Sequence, residues 1–163
     1  MIVVHGTAEL RRRVPGPAPG PEEASTTLLG PWYATVLRWR RPAALLVDEA
    51  TLLPAVLPLA PARTLLERLP DALAAVLGAH HVPGDVVEAE HAAMSPARLA
   101  PTANRSVVGV MTELVHLAGP SAPGAQELLH LSLRLSTVPL GPLLTRHVSP
   151  DRELAALVAA RSR

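Results

Sequence analysis

The most constraining stretch of this chain runs from Pro31 to Pro61, where three apolar, β-favouring runs are joined through two short polar breaks. Its last run, Leu52 to Leu59, carries Pro54 and Pro58. Prolines four apart in a strand remove ladder donors on the same side, which a sheet tolerates only where that side meets no neighbouring strand. Leu52 to Leu59 is therefore predicted to be an edge strand. Trp32 to Trp39 supplies Trp, Tyr, Thr, Val and Leu, all suited to a pleated, half-buried surface, and ends at Arg40, Arg41 and Pro42. Ala44 to Val47 is the middle run, and Asp48 to Thr51 supply turn chemistry. Together they read as a three-stranded antiparallel meander.

The remainder divides by periodicity. Ile2 to His5 can pair as a further strand, and Thr7 stands where an N-cap is wanted ahead of a short helix over Ala8 to Arg13. Residues 15 to 27 (PGPAPGPEEASTT) form a Pro/Gly-rich loop with no apolar period, expected to be mobile and to connect rather than act. Leu65, Leu66, Leu69, Leu73, Val76 and Leu77 recur at helical spacing, with a kink or break expected at Pro70. Val86 to Met94 is a shorter amphipathic segment, and Arg98 to Pro101 a last strand. Val107, Val108, Met111, Leu114, Val115 and Ala118 mark the clearest helix, opened by Thr102 or Asn104 and stopped by Gly119-Pro120. Leu128 to Val138 suits either period, and its leucines after Ala-Gln-Glu favour helix. Ser149-Pro150 opens a final helix with Leu154, Leu157 and Val158 on one face. The predicted architecture is a single α+β domain over residues 1 to 163: an antiparallel sheet of about four to five strands, covered on one face by helices.

Composition narrows the chemistry. The chain has 163 residues, no cysteine and no lysine, and its net charge is +1. Disulfides, thiolate metal sites, cysteine nucleophiles, Schiff-base enzymes and the P-loop lysine are all excluded. All the basic side chains apart from histidine are arginine, a pattern that GC-rich codon usage produces, so arginine abundance is no sign of phosphate recognition. Near-neutral charge gives no global pull toward nucleic acid or an anionic membrane. The longest uncharged apolar stretch, Ala50 to Ala62, is too short to span a bilayer, and no basic-then-apolar leader precedes it. The expectation is a soluble, cytoplasmic protein.

Several segments together resemble a small uncharacterised bacterial domain family, found alone and in relatives of a plasmid open-reading-frame-three protein. They are MIVVHGTAEL, WYATVLRWRR, LLVDEATLLPAVLPLAPARTLL, TANRSVVGVM, LRLSTVPLGPL and SPDRELAALVAAR, which span nearly the whole chain. The resemblance implies one intact domain of unknown function, with Asn in the family where this chain has Asp48, and it transfers no catalytic residue.

Four groups of residues are candidate sites. Arg38, Arg40 and Arg41 beside Trp32, Tyr33 and Trp39 pair cations with aromatics, as single-stranded nucleic acid binding requires. Strand alternation would put Arg38 and Arg40 on one face with Trp32, and Tyr33, Trp39 and Arg41 on the other. The alternative is that the tryptophans belong to the core. Asn104 with Arg105 opens a helix and reads either as an N-cap or as an anion site. His80 and His81, with Asp85, Glu88 and His91 nearby, are a weak metal candidate without a fixed motif. Glu88/His91, Glu113/His116 and Glu127/His130 have the Glu-x-x-His spacing of di-iron bundles, but the last two pairs lie opposite the apolar stripes of their helices. Gly119 to Gly124 includes Ser121 without a G-x-S-x-G elbow or a strand before it. These readings predict no cofactor and no resident metal. They favour a non-enzymatic binding or regulatory module acting on a protein partner or a second copy; nucleic acid binding and a metal- or anion-dependent enzyme stand as alternatives.

Overall fold

The structure, a computed structural model, describes residues 1–120 and 124–163. The Ser121 loop therefore lies outside the described residues. The elements are β1 (Ile2–Gly6), α1 (Ala8–Arg13), β2 (Trp32–Leu37), β3 (Ala43–Asp48), β4 (Pro54–Pro58), α2 (Leu65–Ala79), α3 (Gly84–Ala93), β5 (Ala97–Pro101), α4 (Arg105–Ala118), α5 (Ala125–Leu135) and α6 (Pro150–Arg161).

The meander forms as the sequence predicts. β2, β3 and β4 pair antiparallel, and β4 is an edge of a five-stranded sheet ordered β4-β3-β2-β1-β5. Pro54, Val56 and Pro58 face outward from that edge, and the one donor among them, Val56 N–H, is taken by Ser132 Oγ of α5 at 2.9 Å. The Ser132 hydroxyl in turn donates to Leu128 O at 2.8 Å, and Ser132 is fully buried. α5 thus closes the rim of β4 with a single side chain. Ser132→Ala is expected to destabilise the fold by about 1–3 kcal/mol, because it leaves a buried N–H without an acceptor. Urea unfolding measures this, and a loss under 0.5 kcal/mol would show the contact to be dispensable.

Two expectations need correction. The sheet is mixed rather than antiparallel, since β1 pairs parallel with both β2 and β5. A parallel neighbour needs a crossover of a dozen or more residues, and the α1 segment with the loop behind it supplies one between β1 and β2. Helices also cover both faces, not one. Trp32, Ala34, Val36, Ala44 and Leu46 pack toward α2, α3 and α6, while Tyr33, Leu37, Ala43, Leu45 and Val47 pack toward α4 and α5. β3 is buried along its whole length, as a strand covered on both sides must be.

α2 runs unbroken through Pro70. The Pro/Gly-rich loop is tied down rather than loose. Leu99 N–H donates to Pro17 O at 2.9 Å, Arg98 pairs with Glu23 at 2.9 Å, and Val3 N–H donates to Ser25 Oγ at 2.9 Å. A Cβ on Gly16 would meet Leu66 Cδ1 at 2.5 Å and Leu99 Cβ at 3.2 Å, so any larger residue would have to turn the Leu66 side chain aside and press on β5.

Three acids are buried: Asp48, Glu90 and Glu153. Glu90 accepts from Leu28 N–H at 2.6 Å and Leu29 N–H at 3.0 Å. Glu153 holds Arg146 and, at 2.8 Å, His147. Asp48 Oδ2 accepts from Thr51 N–H and Thr51 Oγ1, both at 2.7 Å, while Oδ1 has no hydrogen-bond partner among the described residues. Burial pushes the Asp48 carboxyl up to about 7, the Thr51 bonds opposing and the Glu90 charge reinforcing.

Candidate functional site

β1 and β5 lie side by side, yet the chain leaves their carboxyl ends in opposite directions. From β1 it enters α1, whose Leu10 joins the core with α2, and from β5 it enters α4 on the other face. A crevice of about 290 Å³ opens just past the carboxyl end of β1, between β2 and α4. Its sheet side carries Thr7 and Thr35, its helix side Val108, Met111, Thr112 and Val115, and its rim Glu9 and Arg38.

Each lining group has a local cause. Thr7 follows β1 directly, donates its N–H to Ala34 O at 3.0 Å, and caps α1 through Oγ1. That hydroxyl stands 3.3 Å from Thr35 Oγ1. Val107, Val110, Met111, Leu114 and Ala118 of α4 are buried, whereas Val108 and Val115 are only partly so, because the apolar stripe is wider than the sheet it covers. The surplus valines give the crevice its apolar wall. Arg38 donates to Glu9 Oε2 from Nε at 2.8 Å, its Nη2 lies 2.7 Å from the same oxygen as an ion pair, and Glu9 Oε1 accepts from Arg13 at 3.1 Å. The Arg38 bond holds the Glu9 carboxyl below its usual range, desolvation opposing it and the charges of Arg38, Arg13 and Arg12 adding to it.

One strand row away on the same face, a polar cluster joins β1, β2 and α4. His5 stacks on Tyr33 with ring centroids 4.8 Å apart. Its Nδ1 lies 2.8 Å from Pro101 O, and since a carbonyl only accepts, Nδ1 carries the proton. Tyr33 Oη accepts from Asn104 N–H at 3.0 Å and donates to Glu49 Oε1 at 3.4 Å. Burial pushes the Tyr33 phenol up, the Asn104 N–H opposing and the Glu49 carboxylate reinforcing. Asn104 Oδ1 accepts from Ser106 and Val107 N–H, and its Nδ2 donates to Glu49 Oε1 at 3.1 Å. Its side-chain groups are all engaged in holding α4 to the sheet, and Arg105 beside it is exposed.

The other sequence candidates are scattered. Trp32 and Trp39 are both buried, and Trp39 Nε1 donates to Gly119 O at 2.8 Å. Trp32 and Tyr33 face opposite cores, as alternation requires. Arg40 and Arg41 are exposed in the turn after β2, and Arg38 is engaged with Glu9. All members of the three Glu-x-x-His pairs are exposed, and His91 Nε2 meets Asp71 at 2.8 Å instead of its neighbours. His80 and His81 line a separate groove with Asp151 and α6, away from Glu88. Burial pushes the His80 imidazole down, with Asp151 opposing. Among the described residues no three His, Asp or Glu side chains gather to hold a metal ion. A further groove, about 410 Å³ between Pro15–Pro17, α2 and Met94–Ala97, sits at the amino end of β5.

Sequence reading missed His5, Glu9, Thr35 and Glu49. Their only signal in the chain was indirect, in the surplus apolar width of α4.

The fold is thus an α+β domain with a five-stranded mixed sheet between two helical layers and a crevice between β2 and α4. By sequence the chain belongs to the DUF6933 family, a domain of unknown function, whose model it matches over residues 3–153. No curated protein and no solved structure shows a significant match. No helix among the described residues is long and apolar enough to cross a membrane.

Proposed function

We propose that this domain is a non-enzymatic binding module that holds a small ligand, or a side chain presented by a partner protein, in the crevice between β2 and α4. The observation that carries this is the pairing of a hydroxyl-bearing sheet wall, Thr7 and Thr35, with an apolar helix wall, Val108, Met111 and Val115. Such a lining orients a ligand and excludes water from one side of it. The nearby polar groups support binding over catalysis: Tyr33, Glu49 and Asn104 bond to one another and fix the start of α4 in place. Burial of both tryptophans weakens the nucleic acid alternative, because stacking needs exposed rings.

Protein-observed NMR with a library of small fragments tests this reading. Hits are expected to move the amides of Thr7, Thr35, Val108 and Thr112 together. Hits confined to the Pro15–Ala97 groove, or no hits at all, would overturn it.

A further inference from the structure

We infer that the ligand is a small free carboxylic acid with a short branched apolar tail, and that Glu9 occupies its place on Arg38 while the crevice is empty. This rests on the binding-module reading above and names the chemistry of the same site. Three observations converge on it.

The first is the geometry of the Glu9–Arg38 pair. Arg38 hydrogen-bonds Glu9 Oε2 through Nε alone, its Nη2 crowds the same oxygen as an ion-pair contact, and Oε1 is drawn away to Arg13. The planar fork of a guanidinium is best satisfied by two oxygens of one carboxylate, each taking one N–H. Glu9 therefore binds Arg38 in the less favourable of two modes, and an incoming carboxylate can adopt the better one.

The second is charge. Arg12, Arg13 and Arg38 all act on the one Glu9 carboxylate. Three guanidinium charges against one carboxylate leave a surplus that a second anion can neutralise. Glu9 released from Arg38 keeps its Arg13 partner at 3.1 Å and its favourable place in the first turn of α1. The Arg38 side chain is 77% exposed against 18% for Glu9, so Arg38 can swing away into solvent while Glu9 stays in place, and an ion pair with one such exposed partner is worth little.

The third is the shape and lining behind the charge. From Arg38 inward the crevice turns to Thr7 and Thr35 hydroxyls on one side and to Val108, Met111 and Val115 on the other. A volume of about 290 Å³ suits a compact molecule rather than an extended one. A carboxylate head at Arg38 with a branched aliphatic tail against the valines satisfies both walls at once.

The test is an NMR titration reading the Thr7, Thr35, Val108 and Thr112 amides. The probes are 4-methylpentanoate, its neutral amide 4-methylpentanamide, and N-acetyl-leucine as a mimic of a chain terminus. The acid is expected to bind at least about tenfold more tightly than the amide, since a charge-assisted hydrogen bond is lost in the latter. Glu9→Gln is expected to tighten the acid by about fivefold by weakening the internal competitor, and Arg38→Ala to weaken it by about tenfold. If the amide binds as well as the acid, or Arg38→Ala changes nothing, the carboxylate inference falls while the binding-module reading stands. N-acetyl-leucine binding about tenfold more tightly than 4-methylpentanoate would overturn the free acid and assign the carboxylate to a polypeptide end. Fragments moving these amides while neither acid does would also end the inference, whereas silence from every probe and fragment ends the reading beneath it.

Discussion

At pH 8 the Asp48→Asn variant is expected to be more stable than the parent protein by up to about 4 kcal/mol, raising the melting temperature by on the order of 10 °C. The carboxyl is fully buried and titrates near 7 instead of its ordinary 3.8. Below about pH 4 both the folded and the unfolded chain hold the proton, and the residue contributes no pH dependence. Between there and pH 7 the unfolded chain has released it and the folded chain has not, so stability falls as pH rises. Above pH 7 both are ionised and the loss is constant. Asparagine keeps an oxygen for Thr51 and carries no charge, which removes the ionisation loss, while its amide N–H groups in the place of the partnerless Oδ1 offset part of the gain. The measurement is urea unfolding of both proteins from pH 4 to pH 8. Parallel stability curves would show that Asp48 does not titrate as its burial requires.

Glu90→Ala is expected to cost about 3–5 kcal/mol at neutral pH. Glu90 is only 2% exposed and is the acceptor for two successive backbone donors, Leu28 and Leu29 N–H. Alanine leaves both unsatisfied and opens space beneath them. The same change removes a negative charge that raises the Asp48 pKa, so the pH at which stability stops falling should move down. A double-mutant cycle with Asp48→Asn separates the two effects. Additive losses would show that the two carboxylates do not sense one another.

The acids behind both predictions are the part of the fold least legible in the sequence. Asp48 reads as turn chemistry and Glu90 as one more charge on a weakly amphipathic helix, because burial of a single polar side chain breaks no period. The edge strand was legible, since two prolines at the same parity can be satisfied in only one place. The helices α4, α5 and α6 were legible from apolar spacing and stops. The parallel pairing of β1 was not read, though a strand followed by a long connection containing a helix is how a crossover begins. The second helical layer also left a signal: Ala43 to Val47 is apolar without alternation, which is what a strand buried on both faces requires. The crevice could not be read, because Thr7, Glu9, Thr35, Arg38 and Thr112 share no local pattern and meet only through strand register. Of the sequence candidates the structure brings Tyr33 to Asn104 and Arg38 to the crevice rim, and sends Trp32 and Trp39 into opposite cores.

The strap along β5 has a consequence for self-association. Leu99 N–H at the outer rim of β5 is occupied by Pro17 O, and four of the seven residues from Pro15 to Pro21 are proline. A segment so poor in donors can end a ladder but cannot pass it on. Cutting the strap between Pro17 and Ser25 is expected to uncover the β5 rim and raise light scattering on incubation, and an unchanged monomer after cleavage would show that the cover is dispensable. The stretch that shields this edge looks, in the sequence, like mere spacer.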